Sequence, residues 1–581
     1  MDIADLFSAL CLSLVWTSCT GVDPNGGKLH ASDRLHESTP ATQQTAQEAD
    51  LPIEVSPETT YFVEPRMADG RVDYAAAINR ITSEGVTPEN NASILMLHAF
   101  GPELLDPQWR AEYYQHVGME PLAAEGQWFV DIKRFAEQRG IDMDPPLDPE
   151  LEPFREELMQ MIREGGDSSE HPELFQALSE LARRPPTERP RTLADHLDDA
   201  TRKAWTAEDY PHLAEWLEVN QDPLEMVVAA SLRSKRFDPV LASGGEPWIS
   251  TSLPVSAAFT RAGLALSARS TYRLGSGEVD RAIDDILACY RLAVLCGLGD
   301  GISHVTRGSH IASVATGSLE ALLNRSPLSP EQSRKIYRAL AELDEPRPNT
   351  DIIGVYERAF ALALLQQVVL EAAQTGKLSD DLRPGVLRLV PGDQRPLPIF
   401  TDVMRQVNAK YDELVLVLQI DDFAQRQQHN SELWDDFEKT TKRYNSYFQL
   451  MAMAAQRGVD EVVTELVALL LMATLVPDPA ILDHSRLRWQ AERRLVMTAL
   501  AVEQFRRRHG RLPEQLDNLL PEFLAKLPLD QFTGQSLYYR PKDGGYLLYS
   551  TGPNGRDNGG TRWQDAPRRF RNADVVIEIR P

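Results

Sequence analysis

At 581 residues the chain is too long for one hydrophobic core, because single cores stop growing near 250–300 residues, so roughly three or four packed units are expected. An apolar fraction of 42% is enough to fill them. Acidic residues outnumber basic ones by 86 to 60, and the net charge of −26 opposes phosphate backbones and anionic headgroups, which excludes nucleic acid as a partner of the whole chain.

The first feature in chain order is a short apolar stretch, Leu6 to Cys19, ending Trp16-Thr17-Ser18-Cys19. It is too short to span a bilayer. A small residue before a cysteine resembles a bacterial lipoprotein leader, and the resemblance implies lipidation of Cys19, a membrane tether, and residence in the cell envelope or periplasm. Asp2 and Asp5 without any Lys or Arg, and Trp16 where a leucine-like residue is usual, depart from that pattern. The alternative is a frayed N-terminal helix of a cytoplasmic protein. Residues 20–60 are polar and aperiodic, and Gly26-Gly27 with the run Ser38 to Thr45 bury too little apolar surface to fold, so they read as a flexible linker.

From Ala75 to Asp483 apolar residues recur at spacings of three and four between Pro, Gly and Asp-Pro breaks, the pattern of successive helices. The expected fold class is mainly α, an irregular α-α stack, with one helical domain over 61–240 and a helical hairpin domain over 241–483. Pro211 opens a helix whose face Leu213, Trp216 and Leu217 should bury Trp216. Leu264 to Leu274, the turn Gly275-Ser276-Gly277 and a second helix with Ala282, Ile286, Cys289, Ala293 and Cys296 form a hairpin of tetratricopeptide type. No second copy recurs at a fixed period, so a tetratricopeptide solenoid is the alternative to the irregular stack. Cys289 and Cys296, seven residues apart on that helix, are separated by about 10 Å of rise and cannot pair, so they read as small buried hydrophobes.

Three blocks, Pro102 to Gly126, Trp205 to Arg236 and Ala268 to Gly297, resemble a group of large uncharacterised bacterial proteins, a resemblance that implies architecture and no activity. The apolar run Leu466 to Val476 is too short for a membrane span and follows Asp460, Glu461 and Glu465, which reads as a buried core helix rather than a pilin stem.

Catalytic patterns are sparse. The acidic pairs Asp198-Asp199, Asp284-Asp285, Asp380-Asp381, Asp421-Asp422 and Asp435-Asp436 invite comparison with magnesium-dependent prenyl transfer, but none has a third acid one helical turn after the pair. His304 and His310, six apart, fall on different helix faces. No HExxH, GxSxG or phosphate-cradling glycine loop occurs. Arg506-Arg507-Arg508-His509 suits a helix C-terminus, and Arg568, Arg569 and Arg571 form a second basic group suited to an acidic surface.

Residues 484–581 carry the sharpest pattern: a helix from Ser485 to His509, Gly510-Arg511-Leu512-Pro513, then Leu529-Asp530-Gln531-Phe532-Thr533-Gly534, then a hairpin of Leu537 to Arg540 and Tyr546 to Ser550 around Asp543-Gly544-Gly545. With Gly552-Pro553-Asn554-Gly555 this order resembles the globular domain of the major pseudopilin of type II secretion, an α+β module. The resemblance implies calcium held by the carbonyls of Thr551 and Arg556, by Asn554, and by Asp574 or Asp557. Asn554 where the family has an aspartate weakens such a site, and an ordinary polar turn is the alternative. Val575 to Ile579 should close the sheet. The reading at this level is a non-enzymatic interaction or scaffold protein of the envelope with an unknown protein partner. The alternatives are a helical enzyme with an acidic metal-dependent cleft and a component of a type II secretion or pilin system.

Overall fold

A computed structural model describes residues 53–143, 191–241, 252–325, 327–376, 398–444, 447–562 and 574–581, with isolated positions between 152 and 176. The leader with Cys19, most of the linker, Asp380-Asp381 and the group Arg568, Arg569, Arg571 lie outside the described residues.

The first helices are short and individually capped. In α1 (Tyr74–Thr82), α2 (Ala92–Phe100) and α4 (Ile132–Arg139), the side chains of Asp73, Asn91 and Asp131 each accept a first-turn N–H. Helix α3 (Arg110–Val117), like α4, ends on a glycine in the left-handed conformation. Then come α5 (Leu193–Ala200), α6 (Pro211–Val219) and α7 (Gln221–Ser231). Pro211 occupies the first turn of α6, and Trp216 is buried with its indole N–H donating to the Val130 carbonyl at 2.8 Å.

The centre of the molecule is α8 (Ser252–Gly275), α9 (Val279–Gly297) and α10 (Ile302–Arg325), each packed on the other two. The glycine-turn hairpin is α8–α9, as expected, but α10 covers both members, so the unit is a three-helix bundle rather than one of several stacked pairs. Close approach is enforced by absent side chains: a Cβ on Gly308 of α10 would stand 2.6 Å from the Ala293 carbonyl oxygen of α9. Cys289 and Cys296 are free and buried. Helix α11 (Pro330–Ala341) follows, started by a reciprocal Ser329–Gln332 capping box.

A second apolar cluster forms around a π-helical turn, Ile352–Glu357, with α12 (Arg358–Thr375), α13 (Phe400–Leu418) and α16 (Val459–Leu475). Helices α14 (Phe423–Lys442) and α15 (Tyr447–Arg457) flank it. The run from Leu466 to Met472 is largely buried in this cluster, a core helix as its length required. The stretch Asn349–Thr375 is long and apolar enough to cross a membrane by composition; 61% of its apolar window is buried inside the fold.

Helix α17 (Ala480–His509) starts in the second cluster with Leu482 and continues through the first from Leu487 to Phe505. Beyond Gly510 the chain forms a 3-10 turn, Leu516–Leu519, and the strands β1 (Tyr538–Lys542), β2 (Gly545–Ser550) and β3 (Val575–Ile579), antiparallel in the order β1-β2-β3. Asp543 and Gly544 both have positive φ, 49° and 85°, which joins the strands by the two-residue turn that matches strand twist. Register runs from Lys542 opposite Gly545 to Tyr538 opposite Tyr549. Tyr546, Leu548, Val575, Ile577 and Ile579 join the first cluster, which takes side chains from both sides of residues 240 and 483. The fold is mainly α with a small C-terminal α+β module.

Candidate functional site

The loop after β2 is shaped by two aspartates that stand outside it. Asp530, 1% exposed, accepts the Phe532 N–H at 2.9 Å, the Ser550 hydroxyl at 2.8 Å, and both the N–H and hydroxyl of Thr551 at 2.9 Å. It thereby fastens the Asp-Gln-Phe-Thr-Gly turn to the end of β2. Asp574, buried at the start of β3, accepts the N–H of Asn558 at 3.1 Å and of Gly560 at 2.7 Å, so one carboxylate closes the other end of the loop.

Asn558 joins two of the residues assigned to calcium, taking a hydrogen bond from Asn554 and giving its N–H to Asp574. The Thr551 N–H and hydroxyl, though not the carbonyl assigned to calcium, bond to Asp530. Asn554 bonds within the loop, donating to Asn558 Oδ1 at 2.7 Å and accepting from the Arg556 N–H at 2.9 Å. Arg556 is exposed. Asp557 accepts from the Tyr549 hydroxyl at 3.0 Å, the Gly559 N–H at 2.8 Å and the Arg540 guanidinium at 3.2 Å. Burial raises the Asp574 carboxyl above the usual carboxylate range and repulsion from Asp557 adds to it, while the amides of Gly560 and Asn558 oppose the shift. In this structure Asp557 pairs with the Arg540 guanidinium and Asp574 accepts amide N–H groups, whereas calcium takes six to eight oxygen ligands.

The sequence reading missed a buried polar seam between the two apolar clusters. Arg236, 4% exposed, donates from Nε to Asp238 at 2.7 Å and from a terminal nitrogen to the Cys296 carbonyl at 2.9 Å, with its guanidinium 4.6 Å from the Phe259 ring centroid. The Tyr113 hydroxyl donates to the other Asp238 oxygen at 2.5 Å. One turn past Cys296, Asp300 lies 3.6 Å from Nδ1 of the buried His304. Across the seam, the π-helical turn aims Glu357 at the start of α10, where its carboxylate accepts the Ile302 N–H at 2.8 Å. Burial, with a smaller contribution from Asp300, pushes the Glu357 carboxyl up to about 7 despite that hydrogen bond. Burial also raises the Cys296 thiol, against the pull of Arg236. Desolvation exceeds the stabilisation of the anion by the helix terminus, so the seam holds a carboxyl poised to gain or lose a proton near neutrality.

The acidic pairs are mostly ion-paired. Asp198 meets Arg202 at 2.8 Å and Asp199 meets Arg191 at 2.7 Å; Asp284 meets Lys335; Asp285 lies between Arg269 and Arg273 at 2.6 Å from each. Asp422 caps α14, while Asp435 and Asp436 lie exposed on it. Arg507 donates to the Leu328 carbonyl and Arg508 pairs with Glu522, so the basic end of α17 is part of the packing. Among the described residues no three His, Cys, Asp or Glu side chains converge as a metal site. Comparison with family models, with curated proteins and with solved structures gives no match to the chain.

Proposed function

We propose that the protein is a non-enzymatic interaction scaffold of the bacterial envelope, exported and held near a membrane through Cys19, with the pseudopilin-like module as a fixed docking end. The observation that carries the reading is the burial of α17. In a pilin-type assembly the long helix preceding the globular module is the polymerising stem; here Leu482, Leu487, Trp489, Ala491 and Leu495 are buried within this chain's own clusters. That favours a component which presents a surface over one which polymerises. The test is fractionation of cells expressing the wild type and Cys19→Ala. The expected result is a wild-type envelope pool that Cys19→Ala transfers to the soluble fraction. A full-length wild-type pool that is soluble in the cytoplasm removes the proposal.

A second reading, calcium at the C-terminal loop, is favoured by one observation: among the described residues no cation pairs with the buried Asp574, which Asp557 repels. An ion there requires Arg540 to leave Asp557. Thermal unfolding of the full chain with calcium or with chelator, for wild type and Asp574→Ala, tests it. A calcium-dependent rise in midpoint that Asp574→Ala abolishes supports the ion, and an unchanged wild-type midpoint removes it.

A further inference from the structure

Helix α10 crosses the seam between the two apolar clusters: Ile302 and Val305 of its first turns pack in the second cluster, while Ile311 and the residues after it belong to the first. Glu357 holds that crossing point. It is the last residue of the π-helical turn, and its carboxylate accepts the Ile302 N–H at 2.8 Å. Such wide turns are rare and occur mostly at functional positions. The loop between α9 and α10 runs close around the contact. A Cβ on Gly301 would stand 3.1 Å from Glu357 Oε1 and 3.9 Å from His304 Nδ1, so carboxylate and imidazole converge on one backbone position. Cys296, fully buried near the end of α9, has its thiol 3.6 Å from the His304 carbonyl, so the start of α10 forms part of the cover over that thiol.

The groups around Glu357 leave its charge poorly compensated. Across the seam stand Asp300, which repels the carboxylate, and His304, held 3.6 Å from Asp300. From α13 the Tyr411 hydroxyl donates to the Glu357 carbonyl at 3.3 Å rather than to its side chain. On the same stretch of chain, Arg358 is turned to the Tyr61 ring at 4.5 Å and to Asp412 at 2.6 Å, and Arg347 lies over the Tyr356 ring. Ionised, the carboxylate therefore has one amide donor and a like charge beside it in a largely desolvated seam. We propose that ionisation of Glu357 is a pH switch that frees the first turn of α10 from the second cluster, opening this end of the seam while α17 keeps the clusters joined. Opening hydrates the carboxylate. The closed seam, with its carboxyl raised to about 7, keeps a proton that the opened one, near the ordinary value of 4.5, gives up, so opening gains as pH rises through that window and levels off above it.

Two thiols separate this local opening from global unfolding. Cys296 lies against the start of α10, whereas Cys289, two turns earlier in α9, has its thiol on the Gly263 carbonyl of α8 at 3.4 Å and is exposed only when the bundle itself comes apart. In the full chain carrying Cys11→Ser and Cys19→Ser, these are the two cysteines that remain. Iodoacetamide labelling of each is followed by peptide mass spectrometry at pH 6 and pH 8, with Glu357 and with Glu357→Gln in the same background. Glutamine keeps the acceptor for the Ile302 N–H and carries no charge, so the variant should stay closed at both values. The pH dependence of the thiolate fraction cancels between the two proteins. Cys296 should label faster than Cys289, and its rate relative to Glu357→Gln should grow on the order of tenfold from pH 6 to pH 8. Labelling of Cys289 and Cys296 at one common rate would overturn the proposal, because global unfolding alone would then expose both. So would a Cys296 rate at pH 8 no faster than in Glu357→Gln, or a ratio between the two proteins that does not change with pH.

Discussion

Glu357→Gln is the substitution whose effect the buried seam specifies most closely. Glutamine keeps an oxygen to accept the Ile302 N–H and matches the carboxyl in volume, so it stands in for the protonated acid. Wild-type Glu357 has its folded pKa raised to about 7, above an unfolded value near 4.5, so between those values the native state binds more protons than the unfolded one. Stability therefore falls as pH rises through this window and levels off above it. At about 1.4 kcal/mol per unit, full ionisation costs the wild type about 3 kcal/mol, and glutamine does not incur it. Urea unfolding of both proteins should show Glu357→Gln more stable by about 1 kcal/mol at pH 5 and about 3 kcal/mol at pH 8. Contributions of other groups cancel in the difference, which makes its pH dependence the diagnostic quantity. A difference constant across that range, or a variant less stable than wild type at pH 8, would falsify the assignment of a buried carboxyl ionising near neutrality.

Three further substitutions test the packing. Asp530→Ala orphans the Thr551 N–H and the Ser550 and Thr551 hydroxyls in a buried setting, and a loss of about 3–5 kcal/mol is expected in thermal unfolding; an unshifted midpoint means that another group fastens the loop. Gly308→Val forces α10 away from the Ala293 carbonyl and should cost about 1–3 kcal/mol, read in the urea midpoint, with no loss sinking the close-approach argument. Asp285→Ala leaves Arg269 and Arg273 buried side by side and should cost about 3–5 kcal/mol, whereas Asp284→Ala, exposed beside Lys335, should change stability by less than about 1 kcal/mol; equal effects refute the distinction.

What the sequence made legible was local. The β1–β2 hairpin was readable because Asp543-Gly544 supplies the positive φ its turn needs, and the α8–α9 hairpin because glycines follow an apolar helical face. The core character of the run from Leu466 followed from its length and the acids before it. Glu357 was not legible: Ile352–Glu357 reads as ordinary helix, and its partner Ile302 is 55 residues away. Arg236 and Cys296, sixty apart, meet only when α9 packs beside the 232–241 segment. In the C-terminal module, resemblance assigned Thr551 to an ion, while the hydrogen-bonding centre was Asp530, present in the motif but with no local signal of what its carboxylate would hold.

The position of α17 governs how the C-terminal module can be studied. Ala499, Leu500, Ala501 and Val502 are four consecutive buried residues, and at about 100° per residue they span most of the helix circumference. One side of the helix therefore serves the sheet, through Tyr546 donating to the Ala499 carbonyl at 3.3 Å, and another serves the body, through Glu492 accepting from the Ser313 hydroxyl of α10 at 2.7 Å. The body also holds the sheet directly, since Glu320 of α10 pairs with Arg562 and Asn324 accepts the Arg580 N–H at 2.7 Å. Cutting the chain before His484 removes Asp483, whose buried carboxylate joins Arg426 at 2.5 Å and Asn349 at 2.9 Å, and exposes the apolar side that faced α10 and α11. Such a fragment would lose stability for reasons unrelated to its loop. Any ion or partner acting on residues 551–562 must therefore be measured on the full chain, where the scaffold that fixes the module is still present.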